Sequence, residues 1–352
     1  MKKKALILTV WDAPNYGSFL QAMAMKHFLE SNDYEVKFVQ YRSDLEEKKF
    51  LFEKKKQLLF HPFFSIKRAY SFIKTHKEVE KVKLNCIKED DYDLVLIGSD
   101  EIWNLRNDPY FSESYFYGDG FCKEKVVIFS VSVGTGKYED FKDKNKILNS
   151  IKMLDGNVSV RDNATNEILR KINKDTEIKM TCDPTFLVDK EMYVREYKGK
   201  LPDDFIIVYS YKIPEKLKQN ILRFAKENKL KIISLCNYYD FCDYNISCTP
   251  LEFSDIIKKC KYSVITTFHG TIYSIFNEAN FVSATDKQKT TDVLKKVGLE
   301  GRQISEESSY EEFSTLLKQK IDYSVVNKKI NELRVDSSNW LKERIVKRKN
   351  DN

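Results

Sequence analysis

Of the four histidines in this 352-residue chain, His269 has the setting best suited to chemistry. It lies in TTFHGTIYSIFNEANF, residues 266–281, after a strand-like run and directly before a glycine. Histidine titrates near neutral pH, so it can give or take a proton during a reaction. A strand-to-helix junction adds open backbone N–H groups that suit an anion, and Gly270 leaves room for a ligand to approach the main chain. The competing reading is a core histidine. His27 beside Phe28, His61 before Pro62 and His76 in a basic stretch read as packing or surface residues.

Other candidate groups stand at similar junctions. NYGSFLQA presents Asn15, Gly17, Ser18 and Gln21, and IGSDEIWN presents Gly98, Ser99, Asp100, Trp103 and Asn104. SVRDNAT puts Arg161 at a strand end, followed by Asp162 in a helix-capping position. Each has a plain structural alternative. Gly17 and Gly98 would make tight turns, Asp100 would cap a helix, Asp183 and Pro184 would end a strand, and Arg161 would be a surface ion-pair partner. Together they put polar groups at the carboxyl ends of several strands, where open α/β sheets bind ligands.

The elements that position these groups alternate strand and helix. KALILTV reads as a buried strand, SFLQAMAMKHFLESN as an amphipathic helix capped by Ser18, and YEVKFVQYR as an alternating strand. Residues 43–84, rich in Lys, Phe and Glu, read as a helical insertion without strand signals. Strands resume in DLVLIGSDEIWN, KVVIFSVSVGTG, NVSVRD and EIKMTCDPTFLVD. A second unit starts near LPDDFIIVYSYK and alternates helix 214–228, strand LKIISLC, helix 251–260, strand YSVITT, helix 268–278 and strand NFVSA. The pattern predicts an α/β protein of two Rossmann-like domains facing a cleft, residues 1–190 and 203–325. A C-terminal helix, 326–352, closes back on the first domain.

Composition narrows the partners. The length calls for two domains rather than one core. A net charge of +7 with mixed signs, and no recognisable nucleic-acid module, leave no nucleic-acid partner to expect. The apolar run near the start, Ala5–Val10, is shorter than the ~7–15 residues of a secretory signal, and no stretch approaches the ~20 of a membrane span. The expected location is the cytoplasm. Seven cysteines without a CxxC pair read as free thiols. The six-residue spacing of Cys236, Cys242 and Cys248 fits no common zinc motif, so no metal is expected. The basic end LKERIVKRKN, with Lys342, Arg344, Lys347, Arg348 and Lys349, reads first as a solvated helix end. Weak attraction to the inner face of an anionic membrane is the functional alternative.

NYGSFLQAMAM, LVLIGSDEIWN, FSVSVG, SVRDNATNEIL, CDPTFLVD and TTFHGTIYSIFNEANF occur in this order. With them, from about residue 5 to about residue 300, the chain resembles the polysaccharide pyruvyl transferase family. The resemblance implies a fold like that of the two-domain GT-B glycosyltransferases. It also implies transfer of pyruvate from phosphoenolpyruvate to two hydroxyls of one sugar, as a cyclic ketal, with release of phosphate. His269 is then the general acid/base and Arg161 a donor-binding group. Thr267, Gly270 and Thr271 lie beside the leaving phosphate on the C-terminal, donor side. The groups from Asn15 to Asn104 lie on the N-terminal, acceptor side. The partners are phosphoenolpyruvate as co-substrate, with no further cofactor, and a sugar acceptor, free or lipid-linked. One departure stands out: family members carry an arginine two residues before the histidine, where this chain has Thr267. Arginine is the usual bidentate holder of carboxylate and phosphate. A glycosyltransferase using a nucleotide sugar, and a non-catalytic glycan-binding homologue, therefore stand as alternatives.

Overall fold

The computed structural model describes residues 2–52, 55–154, 156–174, 177–192, 194–235 and 237–350. The first half runs β1 (Lys3–Leu8), α1 (Tyr16–Glu30), β2 (Tyr34–Gln40), α2 (Asp44–Leu51), α3 (Lys55–Phe60), α4 (Pro62–His76), β3 (Lys81–Lys83), β4 (Leu94–Ile97), β5 (Val126–Val131), α5 (Asn145–Lys152), β6 (Val158–Val160), α6 (Asn163–Ile172) and β7 (Ile178–Met180). The second runs β8 (Phe205–Tyr209), α7 (Glu215–Glu227), β9 (Lys231–Ser234), β10 (Tyr244–Asn245), α8 (Pro250–Lys259), β11 (Tyr262–Ile265), α9 (Phe268–Phe276), β12 (Phe281–Ala284), α10 (Gln288–Val297), β13 (Gln303–Ile304), α11 (Tyr310–Lys318) and α12 (Tyr323–Asn350).

The strands form two parallel sheets, ordered β3-β2-β1-β4-β5-β6-β7 and β10-β9-β8-β11-β12-β13. Strands β4, β5 and β8 are buried along their whole length, as continuous apolar runs covered by helices on both faces must be. In each sheet the strand order reverses beside the first strand: β1 sits between β2 and β4, and β8 between β9 and β11. A crevice opens beyond the carboxyl ends at such a reversal. Here the two crevices share one cavity.

Three local readings change. Helix α1 starts before Ser18, because the Asn15 side chain caps it by accepting from the N–H groups of Gly17 (3.0 Å) and Ser18 (3.4 Å). This frees the Ser18 hydroxyl for another partner. The insertion is helical, as α2, α3 and α4, but ends in β3, an edge strand too short to show a period. Strands β10 and β13, two residues each, were illegible for the same reason. The Asp162 carboxylate caps α6 at the Thr165 N–H, 2.9 Å.

An apolar seam joins the halves. The Tyr16 ring lies 5.1 Å from Phe72 of α4 and 4.9 Å from Phe253 of α8, and Phe253 lies 4.8 Å from Tyr209 at the end of β8. Helix α12 returns to the first sheet. Its Ser337 hydroxyl accepts from the Cys182 N–H (2.9 Å), its Ile345 carbonyl accepts from the Tyr34 hydroxyl (3.1 Å), and Trp340 packs 6.1 Å from Phe129. Of the basic residues at this end, Arg344 is bound into the fold, donating to the Gly156 carbonyl and stacking on Trp340. Lys342 is exposed, and the side chains of Lys347, Arg348 and Lys349 lie outside the described residues. Cys236 lies outside them too. Cys242 and Cys248 are buried in different apolar clusters. Among the described residues no helix is long and apolar enough to cross a membrane.

The α12 closure predicts that Trp340→Ala lowers stability by about 3–5 kcal/mol, as for a large aromatic removed from a core. Lys342→Ala, two residues away on the exposed face, should change it by under about 0.5 kcal/mol. Urea unfolding followed by circular dichroism measures both.

Candidate active site

The site is built around a buried guanidinium. Arg161 follows β6 and is 5% exposed. Its Nη1 donates to Asp183 Oδ2 at 2.8 Å and its Nη2 to Asp100 Oδ1 at 3.2 Å. Asp183 follows β7, where its Oδ1 also accepts from the Thr185 N–H (3.1 Å) and hydroxyl (2.8 Å). Asp100 follows β4 with a left-handed φ of 63°, and its Oδ2 accepts from the freed Ser18 hydroxyl at 2.6 Å. One guanidinium thus ties the ends of three strands, and through Ser18 the start of α1, into one platform. The Phe268 ring covers it, 4.6 Å from the guanidinium carbon.

His269 is the second residue of α9 and comes to this platform from the other domain. Its Nε2 lies 3.7 Å from Asp183 Oδ2, an ion-pair distance too long for a hydrogen bond. That nitrogen is buried without a hydrogen-bond partner among the described residues. Gly17 makes the approach possible. A Cβ there would lie 2.1 Å from His269 Cβ and Cγ, so only glycine lets the first turn of α1 press against the imidazole.

The electrostatics favour fixed charges. Burial by itself would raise both carboxyl pKa values, but His269 and Arg161 outweigh it. Asp183 is held at about 2, helped by the Thr185 N–H, and Asp100 lies well below the usual carboxylate range, helped by Lys289 and Ser18. Burial pushes Arg161 down, but its two carboxylates push it up by more. The carboxylates therefore stay ionised beside the imidazole at neutral pH.

Above this platform lies a cavity of about 460 Å³. Asn15, Ser18, Arg68, Asp100 and Glu101 line it from the first domain, and Tyr209, Thr267, Phe268, His269, Lys287 and Lys289 from the second. Lys289 pairs with Glu101 across the cleft. Arg68 was not singled out from the sequence. It lies on the inner face of α4, 5% exposed, and its Nη2 donates to the Pro14 carbonyl at 2.7 Å. Among the described residues it has no carboxylate partner, so its charge is available to the cavity. The fold buries Arg68 together with Ala69, Phe72, Thr75 and His76, on the side of α4 facing the protein.

Several expected site residues lie elsewhere. Arg161 is behind Phe268 rather than in the cavity wall, with its charge already matched by two carboxylates. Gln21 locks α1 to β1 through Thr9, 3.0 Å. Gly98 and Ser99 are buried behind the platform, Trp103 donates to the Phe116 carbonyl (3.0 Å) and stacks on Tyr117, and Asn104 holds Glu101 from below (3.0 Å). The N–H of Gly270 donates to Thr267 Oγ1 (3.1 Å) and that of Thr271 to the Thr267 carbonyl (3.1 Å), so neither is free for a phosphate. Gly270 answers to packing: a Cβ there would lie 2.5 Å from the Tyr209 ring. Among the described residues, the N–H groups of Phe268 and His269 at this helix end meet no hydrogen-bond acceptor.

A family model, polysaccharide pyruvyl transferase, matches residues 15–285. The chain belongs to the polysaccharide pyruvyl transferase family. It is thus a transferase with a sugar acceptor, and the matched span holds Arg161, Asp100, Asp183, Ser18 and His269 of the platform, and Arg68 of the cavity wall, while Lys287 and Lys289 lie just beyond it. No curated protein matches the chain. Among solved structures, the UDP-GlcNAc 2-epimerase from Neisseria meningitidis bound to UDP-GlcNAc is 11% identical with a TM-score of 0.56, over 99% of this chain and 100% of that one. The trehalose-6-phosphate phosphatase N-terminal domain of Candida albicans is 11% identical with a TM-score of 0.55, over 98% of each. Arabidopsis thaliana UGT89C1 complexed with UDP-L-rhamnose is 8% identical with a TM-score of 0.53, over 99% of each. At such identity the likeness is one of fold, which is GT-B-like.

Two outcomes follow for this pyruvyl transferase. Gly17→Ala should displace the imidazole and remove most activity while the protein still folds, read by turnover and melting temperature on one preparation. Because the Asp183 pKa is lowered on folding, from 3.8 to about 2, its ionisation stabilises the protein fully above about pH 4. That contribution, roughly 2 kcal/mol, is lost as pH falls towards about 2. Urea unfolding at neutral and acid pH should therefore show wild type converging on Asp183→Asn as pH drops.

Proposed function

We propose that this transferase moves pyruvate from phosphoenolpyruvate to two hydroxyls of one sugar in the cytoplasm, with His269 as the proton-transferring residue. The observation that carries the reading is the pairing of His269 with an ionised Asp183 at the floor of a cavity whose walls hold Arg68, Lys287 and Lys289. A donor bearing both a carboxylate and a phosphate needs such cations, and Arg68 offers from α4 the guanidinium that the chain lacks at position 267.

The chemistry makes four demands. The methylene carbon of the enol phosphate takes a proton, which leaves an oxocarbenium-like centre at C2. One sugar hydroxyl adds to C2 and gives up its proton to the base. The C2–O bond to phosphate breaks and phosphate departs with the bonding pair. The second hydroxyl then adds to C2, loses its proton and closes the ketal ring. A single imidazole can serve as acid for the first step and base for the second. Asp183 Oδ2, 3.7 Å from Nε2, puts a negative charge where it compensates the imidazolium that forms when the base takes a proton. The N–H groups of Phe268 and His269 and the Arg68 guanidinium supply donors for the leaving phosphate. Asn15, Ser18 and Asp100 on the opposite wall are placed to meet sugar hydroxyls.

His269→Ala should lower acceptor-dependent phosphate release by about 10²–10⁴-fold without lowering the melting temperature. Arg68→Ala should raise KM for phosphoenolpyruvate by about 10–100-fold, the loss of one charge-assisted contact. Release of nucleotide from a sugar donor, with none of phosphate from phosphoenolpyruvate, would overturn the reading.

A further inference from the structure

The helix that turns Arg68 inward has an outer face that stands exposed among the described residues. Along α4, Phe63 is 89% exposed, Ile66 53% and Tyr70 66%, and at the end of α3 Leu59 is 74% and Phe60 71% exposed. The spacing 63, 66, 70 is one helical face. Lys67, Lys74 and Lys77 stand exposed along it. The whole stretch 54–77 carries seven Lys and Arg residues and no Asp or Glu. Of the flanking carboxylates, Glu47 is paired with Lys81 and His76, and Glu78 with Arg195. Asp240, 3.9 Å from His61, sits at the first turn of α4.

Exposed side chains of this size cost solvation unless something apolar receives them. A face that joins Phe, Leu, Ile and Tyr to lysines, with no acidic residue among them, matches the boundary of an anionic bilayer. There the apolar groups enter the acyl edge and the ammonium groups meet the headgroups. We propose that the outer face of α4, with the end of α3, seats this protein on an anionic membrane surface. The inner face of the same helix is a wall of the cavity, so the cavity is then held beside the bilayer, where a lipid-linked sugar is presented. The seat does not depend on the identity of the donor. It also differs from the basic end of α12, where Arg344 is bound into the fold.

The test is co-sedimentation of the full chain with vesicles of phosphatidylglycerol and phosphatidylethanolamine, and with vesicles of phosphatidylcholine alone. Binding to the anionic vesicles should be at least about tenfold tighter and should weaken with salt. The double variant Phe63→Asp and Tyr70→Asp should lose about tenfold or more of it with circular dichroism and melting unchanged, since both positions are solvent-facing. Lys67→Glu with Lys74→Glu should lose a comparable share, and Lys342→Glu on α12 should keep wild-type binding. Absence of binding to anionic vesicles would overturn the proposal. So would wild-type binding by the double aspartate variant, or loss of binding in Lys342→Glu alone. Light scattering that finds a dimer in wild type and a monomer in the aspartate variant would assign the face to a second copy of the chain instead.

Discussion

A guanidinium buried between two carboxylates is the constraint on which the rest of this site depends. Arg161 cannot be left unpaired away from water, and neither can Asp100 or Asp183, because stripping a charge of solvent costs several kcal/mol unless a partner compensates. The three therefore have to meet, and their meeting brings the carboxyl ends of β4, β6 and β7 to one point. Each carboxylate then has a second duty. Asp100 takes the hydroxyl of Ser18 and so anchors the start of α1, while Asp183 faces the imidazole of His269. The arrangement fixes geometry more than it adds stability, since buried ion pairs often contribute little net energy against well-packed apolar replacements.

The imidazole reaches this platform from the second domain, so the candidate site exists only when the two halves are joined. The joint is apolar and built of rings, with Tyr16 between Phe72 and Phe253. At its edge Gly17 yields the space that His269 occupies. Packing and chemistry are thus adjacent along one turn of helix: Asn15 caps it, Tyr16 glues the domains, Gly17 admits the histidine and Ser18 holds the carboxylate. A sheet reversal opens a crevice in each half, and the seam aligns the two crevices into one cavity.

Two arginines show how the surroundings decide the part a residue plays. Arg161 is surrounded by carboxylates and screened by Phe268, so its charge is spent on the scaffold. Arg68 is as deeply buried, yet among the described residues it meets a backbone carbonyl and the Phe72 ring but no carboxylate, so its charge is available to whatever enters the cavity. The helix that carries it belongs to the insertion, and its two faces are opposite in character. One is buried against the seam and the cavity; the other presents rings and ammonium groups to the surroundings.

The sequence by itself determined the alternation of strands and helices, the polar residues at the strand ends and the junction that holds His269. These are local patterns: an apolar run of four to six residues, a helical period, a glycine after a histidine. It also carried the ordered motifs by which the family was legible. What only the tertiary structure decided was which polar groups meet. Arg161 is 22 residues from Asp183 and 61 from Asp100, and Asp100 is 82 from Ser18. No periodicity links positions so far apart, so Arg161 read equally well as a ligand group or a surface ion. Which N–H groups stay open at the start of α9 turned on the Thr267 hydroxyl bending back onto Gly270, and the place of Arg68 turned on the packing of an insertion with no strand to set its direction. Secondary structure follows from neighbours in the chain. A site follows from the mutual need of buried charges for partners, and those partners are found only when the chain has folded.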